Sequence, residues 1–115
     1  MKLTIGETVL AAALADNSSA KALEEKLQDG PIVIRMEDYA RMEKVGTLPF
    51  RLPTNDQSIT TKAGDLILYL GNSFVIYYAP NSWRFTRLGQ IEGVTAQELK
   101  KILGRGSVTV TLSLN

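Results

Sequence analysis

The sequence predicts a mainly β fold, a closed and largely antiparallel barrel of eight strands with two short α-helices packed over its ends. Strand patterns outnumber helical patterns along the chain, and most consecutive strands are joined by hairpin turns. A length of 115 residues is enough for one hydrophobic core, so residues 1–115 are expected to form a single domain. Because open sheet edges promote aggregation, closure into a barrel is the favoured arrangement.

The first third of the chain predicts a hairpin, a helix and a strand. Residues 2–5 and 8–14 alternate around a glycine-first loop that suits a type II′ turn. Residues 16–19 are all helix N-cap types, and the segment 20–28 then places its leucines on one helical face. A Gly-Pro pair ends this helix, and residues 32–36 alternate as the third strand.

Residues 37–62 are the least regular part of the chain. They contain two prolines and the polar run 54–58, and only residues 45–52 suggest a short strand. A loop of this length is uncommon in a compact domain and often carries function. We therefore expect it to border a binding site.

The last part of the chain predicts an apolar hairpin, a strand, a helix and a final strand. Residues 66–70 and 74–79 are almost wholly apolar, so their hairpin is expected to be buried on both faces. Residues 84–91 form the next strand. A Thr-x-x-Glu capping box then starts a helix over residues 95–103, and residues 107–114 alternate regularly as the last strand.

Composition excludes several kinds of chemistry. The chain has no cysteine and no histidine, which excludes disulfides, zinc sites built from thiolate or imidazole, and imidazole catalysis. Its formal net charge of +1 argues against non-specific binding to nucleic acid or membranes. We expect no cofactor, no metal ion, no transmembrane segment and a cytoplasmic location, and self-association stays open.

The order of these elements resembles that of the cyclophilin-like barrel. The sequence is similar to the small bacterial cyclophilin-like domains, which are short relatives of the cyclophilins, in three stretches. These stretches are residues 36–49, the Leu-Pro-Thr-Asn-Asp run at 52–56, and the Gly-Asp-Leu-Ile-Leu-Tyr run at 64–69 with the later Asn72, Arg87 and Gly89. The resemblance implies a closed barrel over nearly the whole chain.

The resemblance does not carry the isomerase activity of true cyclophilins with it. Their active face needs an arginine that donates to the prolyl amide, a Phe-Met-x-Gln strand and a nearby histidine. This chain has no such strand and no histidine, and Arg35 is the only arginine placed even loosely like the catalytic one. We therefore predict no catalytic residue, and residual peptidyl-prolyl isomerase activity is kept as an alternative.

The predicted site is a groove between the 37–62 loop and the 66–79 hairpin, where polar loop residues meet a tyrosine-rich apolar hairpin. The candidate ligand-binding residues are Tyr39, Glu43, Lys44, Tyr69, Tyr77, Tyr78, Trp83 and Arg87. Consecutive Tyr77 and Tyr78 must point to opposite faces of their strand.

Each candidate also has a purely structural interpretation. The tyrosines are more typical of a core or its rim than of a binding site, the Glu43-Lys44 pair is typical of a loop-fastening ion pair, and Arg87 of a surface arginine. The favoured function is a non-catalytic domain that binds a small molecule or a peptide. A protein–protein interaction module is the other alternative.

Overall fold

The computed structural model describes residues 1–114, which contain nine strands and two helices. The strands are β1 (Lys2–Ile5), β2 (Thr8–Leu14), β3 (Ile32–Tyr39), β4 (Glu43–Thr47), β5 (Gln57–Thr60), β6 (Asp65–Tyr69), β7 (Ser73–Tyr77), β8 (Ser82–Ile91) and β9 (Val108–Ser113). The helices are α1 (Ser18–Gln28) and α2 (Ala96–Leu103). Neither helix has the length and apolar character needed to cross a bilayer.

Eight strands close into an antiparallel barrel, as the sequence predicts. Their order is β2-β1-β9-β3-β4-β7-β6-β8, and β8 pairs again with β2 to complete the ring. The ninth strand, β5, lies outside the ring and pairs with the first half of β8. The sequence analysis missed β5 because its four residues Gln57–Thr60 include a single apolar side chain, too few for an alternation to show.

Strand β8 holds the closure together. Its first half pairs with β5, and its second half lies between β6 and β2. At the β2–β8 seam, a Cβ atom on Gly89 would stand 2.3 Å from the carbonyl oxygen of Ala13. A side chain of any size would therefore push the two strands apart, and glycine permits the close approach that closes the barrel.

Both helices pack an apolar face into the barrel core. Leu23 and Leu27 of α1 and Leu99 and Leu103 of α2 are buried in the same cluster as the inward side chains of the strands. Helix α1 begins two residues earlier than the sequence predicts, because the Asn17 side chain accepts the Ala20 N–H and so acts as the N-cap. The predicted capping box of α2 is present.

A second apolar cluster lies on the outer side of the barrel wall. Ile67 of β6, Val75 and Tyr77 of β7, and Phe85 of β8 are buried there, with Ile59 of β5 packed against them. The β6–β7 hairpin is therefore buried on both faces, as predicted. On the outer side, the two-stranded ribbon of β5 and β8 covers this hairpin.

The stretch predicted as a long loop, residues 37–62, is more ordered than expected. It contains the end of β3, the whole of β4 and the whole of β5. The predicted strand over residues 45–52 was wrong in its bounds, since β4 runs over residues 43–47. The reason is that Glu43 and Lys44, which look like loop residues in the sequence, are both buried in the wall.

The Leu-Pro-Thr-Asn-Asp run is fastened by hydrogen bonds. The hydroxyl of Ser19 in α1 donates to the Pro53 carbonyl. The Asn55 N–H donates to the Thr86 hydroxyl at 2.8 Å, and that hydroxyl donates to the Asp56 carboxylate at 2.7 Å. This motif therefore ties the segment before β5 to α1 and β8.

Candidate functional site

Strand β4 sends its first two side chains to opposite sides of the barrel wall, because consecutive residues of a strand alternate in direction. Glu43 stands opposite Tyr39 of β3 and Tyr77 of β7. Lys44 stands opposite Asp38 of β3 and the core residue Ile76. Two regions follow from this: an outer row, defined as Tyr39, Glu43 and Tyr77, and an inner network around Lys44.

The inner network links four groups. The Lys44 Nζ atom, fully buried, lies 2.8 Å from the Asp38 Oδ1 atom and donates to the Gly106 carbonyl at 2.6 Å. The Tyr78 hydroxyl donates to Asp38 Oδ1 at 3.0 Å, and the Gly106 N–H donates to Asp38 Oδ2 at 3.0 Å. Both carboxylate oxygens of Asp38 are thus used within the protein, and the connection between α2 and β9 is tied to β3 and β4.

These contacts set the protonation states in the network. The hydrogen bond from Lys44 is the largest cause that lowers the pKa of Asp38 below its ordinary 3.8. Burial, followed by the hydrogen bond to Asp38, raises the pKa of Tyr78 to about 12. At neutral pH Asp38 is therefore a carboxylate and Tyr78 a neutral phenol.

A cleft of about 860 Å³ opens above this network. We call it the α2 cleft. Its lining comes from the β3–β4 hairpin, from Tyr78, and from α2 with the connection that follows it. The lining residues are Asp38, Arg41, Tyr78, Thr95, Gln97, Glu98, Lys100, Lys101, Gly104 and Arg105. The lining combines a phenol hydroxyl, which donates to Asp38 of the network beneath it, with exposed charged side chains.

The hairpin that carries Arg41 into the α2 cleft has an unusual backbone. Ala40 and Arg41 have φ angles of 54° and 56°, in the left-handed region that favours glycine. Neither alanine nor arginine favours this conformation. It lies in the tight turn that joins the paired strands β3 and β4. Strained backbone of this kind is concentrated at functional sites.

The outer row has the opposite electrostatics. Glu43 is 8% exposed, and no lysine or arginine of residues 1–114 forms a salt bridge with it. Burial raises the pKa of Glu43 above 4.5, and the hydrogen bond from the Tyr77 hydroxyl offsets this in part. Tyr77 is buried as well, its hydroxyl accepts from the Asn81 side chain at 3.2 Å, and burial raises its pKa to about 12.

Aromatic side chains fill the outer region next to this row. The Phe85 ring lies 6.0 Å from the Tyr69 ring at 68° and 5.6 Å from the Tyr77 ring at 55°, both measured between centroids. Trp83 shares the ribbon face of Phe85 but is 62% exposed. A shallow pocket of about 500 Å³ lies beside Trp83, between β5 and β8.

The structure therefore divides the predicted site residues between the two sides of the barrel wall. Tyr78 lines the α2 cleft, and Lys44 lies beneath it. The outer side of the wall holds Tyr39, Glu43, Tyr69, Tyr77 and Trp83. Tyr77 and Tyr78 point to opposite faces, as predicted, and belong to different regions.

Arg87 also lies on the outer side of the wall, where it stands opposite Ile67 of β6. Its Nη1 atom is 2.9 Å from the Oδ1 atom of Asp65, whose side chain is 1% exposed. The other oxygen of Asp65 accepts the Lys62 N–H at 3.0 Å, a bond by which an aspartate stabilises a turn. Arg87 thus binds a carboxylate of its own chain, while its side chain is still 38% exposed.

One further interpretation is corrected by a contact, and Arg35, to which no catalytic role was given, is placed by another. The ion pair suggested between Glu43 and Lys44 was wrong, since they point apart and Lys44 pairs with Asp38. Arg35 lies on the exposed side of β3 and donates to the Ser107 hydroxyl at 3.3 Å. It is therefore held at a polar surface position and not beside the apolar cluster.

The sequence analysis missed Asp38, Arg41 and the cations of α2 as site residues. Lys100, Lys101 and Arg105 lie at and just after the last turn of α2, where cations complement the helix dipole. The sequence did contain a signal for them as site residues, since these three cations cluster near one helix end. In the part of the chain that the structure describes, no three acidic side chains come together as a metal site.

Comparison with protein families gives one finding. The model of a family described as the cyclophilin-like family matches residues 3–113, from the first strand of the barrel to the last. Neither curated proteins nor solved structures give a match.

Proposed function

We propose that this chain, which belongs to the cyclophilin-like family, is a non-catalytic domain that binds a small molecule in the α2 cleft. The single observation that carries the proposal is the cleft itself. Its volume of about 860 Å³ lies within the range of small-molecule sites, and polar groups converge on it from three elements.

The protonation states of the cleft support binding in preference to proton transfer. A general acid or base works best when its pKa lies near the working pH. The pKa of Asp38 is lowered and that of Tyr78 is raised to about 12, so neither exchanges a proton readily at neutral pH. Groups held in this way can orient a ligand by hydrogen bonding.

The outer region supports the proposal less well. Its central residues Ile67, Tyr77 and Phe85 are at most 4% exposed, so the ribbon already occupies the face where the predicted groove would lie. A ligand there would have to displace protein, whereas the α2 cleft is open.

The test is an amide NMR titration of the whole chain with a panel of small molecules and with a peptide containing one Xaa-Pro bond. The panel comprises neutral sugars, nucleosides, amino acids, carboxylates and phosphates. We expect saturable shifts at Arg41, Tyr78 and the α2 amides with at least one compound. We expect no acceleration of the peptide's cis/trans exchange.

Two phenylalanine variants test where the ligand binds. Tyr78→Phe removes a hydroxyl that lines the cleft, and Tyr77→Phe removes one from the outer row. Weaker binding in the first variant alone agrees with the proposal. Shifts confined to the outer region, shifts with no compound, or accelerated exchange of the prolyl bond would each overturn it.

A further inference from the structure

We infer that the ligand of the α2 cleft is a small polyanion with two or more phosphate or carboxylate groups. This inference rests on the proposed function and adds the chemical class of the ligand. It is drawn from the charges that line the cleft.

Four cations line the cleft: Arg41, Lys100, Lys101 and Arg105. All four are exposed, and none forms a salt bridge with another side chain within residues 1–114. Unpaired cations around a concave surface raise its positive potential and attract anions. Arginine in particular binds carboxylate and phosphate through two parallel hydrogen bonds.

The carboxylates of the cleft do not cancel this charge. Asp38 is already balanced by Lys44 and accepts further hydrogen bonds from Tyr78 and Gly106. Glu98 points back into its capping box, where its Oε1 atom accepts the Thr95 N–H at 3.0 Å. Of the two carboxylates in the lining, Glu98 is therefore the one without a paired cation, and the lining holds four unpaired cations against it.

The positive charge is local to this cleft. The whole chain carries 13 lysines and arginines against 12 acidic residues, so its average surface is close to neutral. Four of those cations are nevertheless gathered in one cleft. A ligand with localised negative charges fits this arrangement better than a long uniform polyanion, which needs an extended basic surface.

The cations approach the ligand from two sides. Arg41 comes from the tip of the β3–β4 hairpin, and the other three come from α2 and the connection after it. Arg41 reaches the cleft from a tight turn in which it and Ala40 both have left-handed φ angles. Two separated groups of cations match a ligand with at least two anionic groups.

The experiment uses the whole chain at low ionic strength, with pyrophosphate, citrate and the neutral sugar glucose as probes. Amide NMR titrations should give saturable shifts at Arg41, Tyr78 and residues 100–106 with both anions and none with glucose. Added salt should weaken binding, because exposed charges are screened. The tighter of the two anions identifies phosphate or carboxylate as the natural group.

A double variant and a matched control locate the charge effect. Arg41→Gln with Lys100→Gln removes one cation from each side of the cleft, and we expect at least about a tenfold loss of anion affinity. Lys2→Gln with Lys62→Gln removes the same charge from exposed positions elsewhere. This control should change affinity less than about twofold.

The outcomes separate the inference from the proposed function. If neutral panel compounds shift the cleft amides and neither anion does, the inference fails and the proposed function stands. If no compound shifts them, both fail. An equal loss of affinity in the two double variants would mean diffuse attraction and would overturn the inference, as would an oligonucleotide that binds more tightly than both anions.

Discussion

The inner network and the outer row use the same residue types in opposite ways. Each places a carboxyl group beside a tyrosine hydroxyl at the wall of the barrel. Asp38 has a buried lysine partner, which lowers its pKa, whereas Glu43 has none and its pKa is raised by burial. The difference teaches that one step along β4, from residue 43 to residue 44, decides whether a buried charge is compensated.

The largest expected effect comes from removing the compensating charge. Lys44→Met keeps most of the volume of the side chain but leaves Asp38 without its cation. Breaking a fully buried pair costs about 3–5 kcal/mol, and since the Asp38 side chain is 31% exposed we expect about 2–3 kcal/mol here. Urea unfolding of the variant and the parent measures it.

The matched control for this variant is Lys101→Met, which removes an exposed lysine from the rim of the cleft. It should change the free energy of unfolding by less than about 0.5 kcal/mol. Equal losses in the two variants would show that Lys44 is not a structural partner of Asp38.

The second prediction uses pH to separate the two carboxyl groups. Because the pKa of folded Asp38 lies below its unfolded 3.8, its contribution is present above pH 3.8 and is lost as the pH falls through the folded pKa. Because the pKa of folded Glu43 lies above its unfolded 4.5, the contribution of Glu43 is present below pH 4.5 and is lost as the pH rises through the folded pKa.

Asp38→Asn and Glu43→Gln should therefore change stability in opposite directions at pH 7. The first variant should be less stable than the parent, with a difference that shrinks below pH 3.8. The second should be more stable than its parent, with a difference that shrinks towards pH 4.5. Unfolding curves across this range would contradict the comparison if both variants changed with the same sign.

The third prediction concerns the phenols of Tyr77 and Tyr78, whose pKa values are raised in both regions. The pKa values of Tyr77 and Tyr78 are both about 12, so stability should be lost as the pH rises from 10 through 12. Asp38→Asn removes one cause of the raised pKa of Tyr78 and should make this phenol titrate earlier. The titration of Tyr77 should not move, as ultraviolet absorbance of the Tyr77→Phe and Tyr78→Phe backgrounds would show.

Some features of the inner and outer regions could be predicted from the sequence, and others could not. The alternation of strands, the apolar hairpin and the opposite directions of Tyr77 and Tyr78 follow from local patterns, and the structure confirms them. The α2 cleft does not follow from local patterns, because Arg41 and Lys100 are far apart in the chain and meet only once the barrel closes. The partner of Lys44 was missed for a different reason: residues 37–62 were interpreted as a loop, so the β3–β4 hairpin that sets Asp38 opposite Lys44 was not predicted.

The smallest expected effect lies in the hairpin that joins the two regions, carrying Tyr39 on one side and Arg41 on the other. At φ 54°, Ala40 holds a conformation that costs an L-residue about 1–2 kcal/mol, and glycine avoids that cost. Glycine also loses more entropy on folding, so Ala40→Gly should stabilise the fold by about 0.5–1 kcal/mol.

The control is Ala11→Gly in β2, where φ is not positive and glycine should destabilise by about 0.5–1 kcal/mol. Stabilisation of Ala40→Gly together with weaker anion binding would mean that backbone strain positions Arg41, whereas unchanged binding would assign the positioning to the pairing of β3 with β4.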